Sequence, residues 1–234
     1  VTQLEPLAPS PVGVELLDDP GADPAAVAES LRNIARSNRW FGGAAAVRHG
    51  LARALAGVPA GTTLTLADLG TGLGDLPGVA ARWAARRGLR LETVGLERNP
   101  VAARLAYEGG LPCAVGCAGA PPLREKSVDI VLVSQVAHHL ADDSAVRLFR
   151  TCDRLARRAV IVADLRRGRL GPLAFWCGAR ALGFDGITVA DGITSLRRGY
   201  TAGELRAMLA AAGVRGTVER RPGYRLVAVW RPAG

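Results

Sequence analysis

Hydrophobic and polar positions in this chain follow two periods that take turns. From about residue 62 onward, short apolar runs alternate with stretches whose apolar residues recur every three or four positions. These are the signatures of buried strands and of amphipathic helices. The pattern predicts strands over 63–68, 90–96, 112–116, 128–134 and 158–164, with helices over 75–87, 100–108 and 142–156. Segment 128–134 is nearly all apolar after Asp129, as a mid-sheet strand covered on both faces must be. Regular strand–helix alternation predicts an α/β fold built on an open, doubly wound, mostly parallel sheet.

The flanks differ. Asp23-Pro24 combines a helix N-cap with a proline suited to the first helical position. A helix is predicted from there to about Ser37, with Val27, Leu31 and Ile34 on one face. Gly42-Gly43 breaks the chain, and a second helix is predicted over about 44–55. Residues 1–24, which contain five prolines, read as a flexible N-terminal arm; 25–61 read as a helical cover, and 62–234 as the main domain. Near the other end, a helix over 201–212 opens with the Thr201-x-x-Glu204 capping pattern and stops at Gly213. Two strands, 214–220 and 225–230, follow as a hairpin, bringing the sheet to seven strands with an antiparallel edge strand. Residues 165–200 are far too many for an ordinary connection. They read as a partly helical lid inserted over the C-terminal ends of the strands.

Composition narrows the setting. The chain has 234 residues, 49% of them hydrophobic, enough for one domain with a full core. It has no apolar run near the roughly 18 residues a membrane span requires, and no basic-then-apolar leader. A cytoplasmic protein without membrane insertion is therefore expected. Cys113, Cys117, Cys152 and Cys177 form no Cys-x-x-Cys pair and have no clustered His, so neither a metal nor a disulfide framework is expected. The net charge of +9 is unevenly spread. Residues 1–30 carry six acids and no base, 31–150 carry fifteen bases and nine acids, and 151–234 carry fifteen bases and six acids. Codon usage plus solvated helix faces accounts for most of this. A surface for an anionic small molecule is the second reading, and nucleic acid is the least favoured.

The chemistry concentrates at Asp68-Leu69-Gly70-Thr71-Gly72-Leu73-Gly74. A strand end delivers an acid, glycines let a ligand touch the backbone, and a helix N-terminus follows with unpaired N–H groups. The spacing is G-x-G-x-G, not the G-x-G-x-x-G of a dinucleotide site. The second strand ends at Glu97-Arg98, placing an acid where it can accept both hydroxyls of a ribose.

Asp68 through Gly74, Glu97, and Ser127 to Val131 through Gln135 to Leu140 together resemble the class I S-adenosylmethionine-dependent methyltransferases, especially the small-molecule and quinone group. The likeness covers roughly 62–164 and extends through the terminal hairpin. It implies S-adenosylmethionine as cofactor, with Gly70, Thr71, Gly72 and Gly74 against its methionine part and Asp68 near its amino group. Glu97 would hold the ribose and Arg98 flank the adenine. Where the family usually has Gly-Asp-Ala this chain has Gly116-Cys117-Ala118, so Cys117 and Ala118 would meet the adenine without the usual carboxylate. Ser134 and Gln135 would face the sulfonium.

His138 and His139 follow the fourth strand at the mouth of this site and are the candidate catalytic bases, with no choice made between them. His49 reads as structural. For the acceptor, the sequence offers two covers rich in aromatics and Arg. Arg39 and Trp40 represent the first, and Arg166, Trp176 and Tyr200 the second. The expected activity is O-methylation of an aromatic or polyketide-like small molecule. The other readings are C-methylation of a quinone-like ring, RNA or protein methylation, and a non-enzymatic binding scaffold. A homo-oligomer is compatible with all of them.

Overall fold

The computed structural model describes residues 7–19 and 21–232. A seven-stranded sheet runs β1 (Thr63–Leu69), β2 (Arg90–Glu97), β3 (Cys113–Val115), β4 (Val128–Ser134), β5 (Ala156–Leu165), β6 (Gly216–Arg221) and β7 (Arg225–Trp230) in chain order. In space the order is β3-β2-β1-β4-β5-β7-β6, with β7 running opposite to the other six strands. The doubly wound, mostly parallel sheet is as its sequence pattern predicts. Within the hairpin, however, β7 is the inner strand and β6 the outer one. Burial explains the order: Leu226, Val227, Ala228 and Trp230 are all buried, whereas β6 buries only Val218.

Helices cover both faces. On one side, α2 (Gly43–Ala54) and α3 (Asp75–Ala85) pack over Leu66, Ile130, Leu132 and Ile161. On the other, α5 (Asp142–Leu155) and α8 (Ala202–Ala211) close over Val131, Val133, Val160 and Val162. The remaining helices are α1 (Pro24–Trp40), α4 (Pro100–Glu108), and the pair α6 (Gly171–Ala181) and α7 (Gly186–Arg198). Helix starts follow the predicted chemistry. Asp23 accepts the Ala26 N–H, and Thr201 with Glu204 forms the capping box; a further cap, not among those predicted, is Asn99, which accepts the N–H groups of Val101 and Ala102 at the start of α4. No helix among the described residues is long and apolar enough to cross a membrane.

From β1 the chain winds outward to β3, then returns to the sheet centre at β4 and winds the other way. The switch leaves a crevice above the carboxyl ends of β1 and β4, which is where ligands bind in such sheets. The segment expected to be a loose arm is tied down over this crevice wherever it is described. Ala8 N–H donates to Ser144 Oγ, Ser10 N–H to the His139 carbonyl, and Ala141 N–H to the Ala8 carbonyl. Residues 1–6 of that arm lie outside the described residues. At the other rim, the 221–224 turn comes into close contact with the break between α1 and α2. Gly42 and Gly223 both have positive φ (86° and 78°), and a Cβ on either would strike the other segment's backbone. Only glycine permits that approach.

Candidate active site

The crevice opens into a cavity of about 530 Å³, a size typical of small-molecule sites. One wall is the glycine loop. Gly70 N–H and Thr71 N–H both donate to the Leu96 carbonyl, at 2.7 and 3.2 Å, and Gly74 N–H donates to Thr71 O at 2.9 Å. Gly70, Gly72 and Gly74 all have positive φ. A Cβ on Gly70 would collide with Val136 and one on Gly74 with Leu111, so packing fixes these two positions. The loop residue with room for a ligand is Gly72, where a Cβ would meet nothing closer than Leu31 at 3.5 Å.

Three acids gather around this loop. Asp68 is 1% exposed; its Oδ2 accepts from Thr71 Oγ1 at 2.8 Å, while Oδ1 has no partner among the described residues. Burial raises its pKa to about 7, and the negative charges of Asp75 and Glu97 push the same way. Such a carboxylate calls for a cationic group of a ligand to restore its solvation. Glu97 accepts the Gly72 N–H on Oε2 (2.9 Å) and the Asn99 N–H on Oε1 (3.0 Å). Its carboxylate is held rigid by backbone, with lone pairs left for a diol. Asp75 is also raised, again chiefly by burial, and it accepts from Asn38 Nδ2 at 3.0 Å. Asn38 in turn accepts from Gln135 Nε2 at 2.6 Å, tying the helical cover to the end of β4. An anionic lip with an unsatisfied buried carboxylate, beside a rigid diol acceptor, fits a nucleoside bearing positive charge.

The structure places the sequence-predicted cofactor residues together. Asp68, Gly70, Thr71, Gly72, Glu97, Arg98, Cys117, Ala118, Ser134 and Gln135 all line the cavity; Gly74 lies just behind it as the N-cap of α3. Ser134 Oγ donates to the Ala163 carbonyl at 3.2 Å, which leaves an oxygen lone pair toward the cavity. Both candidate bases line it as well. His138 Nδ1 lies 2.6 Å from Asp164 Oδ1, and its Nε2 is buried without a partner among the described residues. Burial alone would raise Asp164, but the His138 imidazole and the Leu165 N–H hold it below the ordinary carboxylate value. An ionised Asp164 fixes Nδ1 as the protonated nitrogen and leaves Nε2 with a free lone pair.

His139 is different. Its Nδ1 is 3.1 Å from both Asp18 Oδ1 and an Arg198 nitrogen. Arg198 is buried, donating to the Val12 and Gly13 carbonyls and to Glu15 and Asp18. Glu15, His138 and His139 bring possible metal-ligating atoms within 4.8 Å of one another. The Arg198 guanidinium, 3.0 Å from Glu15, already holds positive charge against that group.

The predicted acceptor residues do not line the cavity. Trp40 is 61% exposed under the Arg39 guanidinium, and Trp176 is 47% exposed. Arg166 sits over the Tyr224 ring, 4.8 Å from its centroid, and Tyr200 is buried in the core with its hydroxyl donating to the Ala137 carbonyl at 2.7 Å. The walls are instead Phe41, Phe175 and Tyr224, with Phe41 and Phe175 in an edge-to-face contact at 5.5 Å. Helical phase accounts for the displacement. Val27, Leu31, Ile34, Asn38 and Phe41 share one face of α1, and Trp40 falls off it. On α6 the inward set is Gly171, Ala174, Phe175 and Gly178, and Trp176 points away. Asp75, Glu15, Asp18 and Arg225 also line the cavity, and nothing in their local sequence marks them.

Residues 67–163 match the family described as Methyltransferase domain. No curated protein sequence matches the chain. Among solved structures, the fold is similar to a SAM-dependent methyltransferase from Aquifex aeolicus, with 15% identity, coverage of 90% of this chain and 99% of that one, and a TM-score of 0.59. It is similar to human N-acetylserotonin methyltransferase in complex with SAM (14% identity, 91% of this chain, 57% of that one, TM-score 0.65). A third is NcsB1, an O-methyltransferase from neocarzinostatin biosynthesis in complex with SAM and 2-hydroxy-5-methyl naphthoic acid (19% identity, 95% and 62% coverage, TM-score 0.64). At these identities the likeness is one of fold. Joined to the matched domain and the anionic glycine-loop cavity, it makes residues 67–163 a class I S-adenosylmethionine-dependent methyltransferase domain, with S-adenosylmethionine as its cofactor.

Proposed function

We propose that the acceptor is a small aromatic or polyketide-like molecule methylated on oxygen, with His138 as the general base. One observation carries this reading: an unpartnered, buried Nε2 lies in the same cavity as the glycine loop, on a ring oriented by an ionised Asp164. When bound, the sulfonium cofactor supplies an electrophilic methyl group. Glu97 would hold the ribose diol and Asp68 the ammonium, with Gly72 and Thr71 along the methionine part and Arg98, Cys117 and Ala118 around the adenine. Ser134 and Gln135 would border the reacting centre.

The remaining work is orientation, exclusion of water and removal of one proton. Phe41, Phe175 and Tyr224 offer flat apolar walls for a ring. His138 Nε2 accepts the hydroxyl proton, and the resulting imidazolium is stabilised by Asp164 at 2.6 Å on Nδ1. His139, engaged with Asp18 and Arg198, serves the wall and not the proton transfer. Solved structures of similar fold include an O-methyltransferase holding a hydroxynaphthoic acid, which agrees in acceptor class.

The test pairs calorimetry with turnover. S-adenosylhomocysteine should bind wild type and His138→Ala alike and bind Glu97→Ala weakly. With a panel of hydroxyarenes, His138→Ala should lose roughly 10²–10⁴-fold in kcat. Full turnover in His138→Ala would remove the base, and methylation of carbon or nitrogen alone would remove the O-methyl assignment.

A further inference from the structure

Arg225, the first residue of β7, is 3% exposed and lines the cavity. Its Nε–H donates to the Phe41 carbonyl at 3.1 Å, but Nη1 is buried with no partner among the described residues. Arg198, the other buried arginine, is saturated by two carboxylates and two carbonyls. The contrast matters because a desolvated guanidinium with an idle N–H is expensive to keep and persists only where something else rewards it. Burial lowers the pKa of Arg225 to about 10, against the opposing pull of Asp164, so the group is cationic at neutral pH. Phe41 and Tyr224 flank it, and Gly171, packed on the Tyr224 ring, brings α6 close.

From this we infer that Arg225 is the acceptor's anion anchor, and that the acceptor carries a carboxylate on the same ring system as the methylated hydroxyl. The inference rests on the methyl-transfer reading above and adds a substrate class to it. Asp164 supplies the geometric link: it is hydrogen-bonded to His138, and the next residue, Leu165, pairs directly with Arg225 across the β5–β7 ladder, so anchor and base sit at the same end of adjacent strands. An acceptor gripped by its carboxylate at Arg225 would present a neighbouring hydroxyl towards His138. A guanidinium suits this role because its planar fork matches a carboxylate with two parallel N–H bonds. The glycine pair Gly42 and Gly223 then gains a purpose, since their close approach brings the 221–224 turn, and Arg225 after it, against Phe41 at the cavity rim.

The experiment measures binding of 1-hydroxy-2-naphthoic acid and of 1-naphthol by calorimetry, with and without S-adenosylhomocysteine. The two share a ring and hydroxyl and differ in the carboxylate. Wild type should prefer the acid by about ten- to hundredfold. Arg225→Gln should bring the two compounds to near-equal affinity, and Arg225→Lys, which keeps the charge and loses the fork, should retain part of the preference. S-adenosylhomocysteine affinity should be unchanged in both variants, which also reports that they are folded. Equal binding of acid and naphthol by wild type, no binding of the acid at millimolar concentration, or an undiminished preference in Arg225→Gln would each overturn the assignment. Failure of the methyl-transfer reading would look different: S-adenosylhomocysteine would not bind wild type, while the acid-over-naphthol preference would still be measurable in its absence.

Discussion

Replacing Asp68 by Asn should make the ligand-free protein more stable while weakening its hold on cofactor. Asp68 lies wholly buried with Oδ1 unpaired, and its pKa is raised from the ordinary 3.8 to about 7. A raised carboxyl means that the folded chain keeps a proton the unfolded chain has released. Stability therefore falls as pH rises from about 4 to about 7 and is level above that. Roughly three pH units at ~1.4 kcal/mol each give about 4 kcal/mol of cost at pH 8. Asparagine removes that cost but puts an unpaired amide N–H where Oδ1 was, which costs about 1–3 kcal/mol. The net expectation at pH 8 is a gain of about 1–3 kcal/mol, or a few degrees in Tm. The pH dependence is the firmer test, because the amide cost cancels in it. The advantage of Asn over Asp should grow by about 2–3 kcal/mol between pH 5 and pH 8.

Cofactor linkage has the opposite sign. An ammonium beside Asp68 favours the ionised form, so binding releases a proton and affinity rises with pH up to about 7. Thermal or urea unfolding at the two pH values, with S-adenosylhomocysteine calorimetry in buffers of different ionisation heat, measures both effects. An Asn variant whose advantage does not change with pH would refute the argument. So would wild-type affinity that is flat from pH 6 to 8 with no proton release.

Two further outcomes are expected. Arg198→Ala removes the guanidinium from buried Glu15 and half-buried Asp18 and should destabilise the protein by about 3–5 kcal/mol, with limited proteolysis shifting to residues 7–19; unchanged cleavage there would show that the arm is held by other contacts. Phe175→Ala should weaken acceptor binding at least tenfold and Trp176→Ala should leave it within about twofold, a comparison that decides which face of α6 meets the ligand; equal losses would return Trp176 to the site.

Much of this protein is written in local sequence. Strand and helix periods point to a doubly wound, mostly parallel sheet, since a strand buried on both faces and a helix buried on one leave different spacings. The glycine loop was equally legible: positive φ at Gly70, Gly72 and Gly74, and an acid at the strand end, are properties of a few consecutive residues. Glu97, His138 and His139 fall at the crevice because strand ends in this topology converge there, but the sequence does not choose between the two histidines. Which aromatic meets a ligand is another matter. Trp40 and Trp176 sit beside Phe41 and Phe175 in the chain, and about 100° of helical rotation separates inside from outside; only the packing of α1 and α6 fixes that phase. The arm over the crevice depends on Arg198, more than 170 residues away, and the placement of the Arg225 guanidinium depends on a turn that two glycines bring against Phe41. Backbone conformation and hydrophobic period act over a few residues and so can be read along the chain. Burial, pairing and electrostatic environment arise from groups distant in sequence, and exist only once the fold has brought them together.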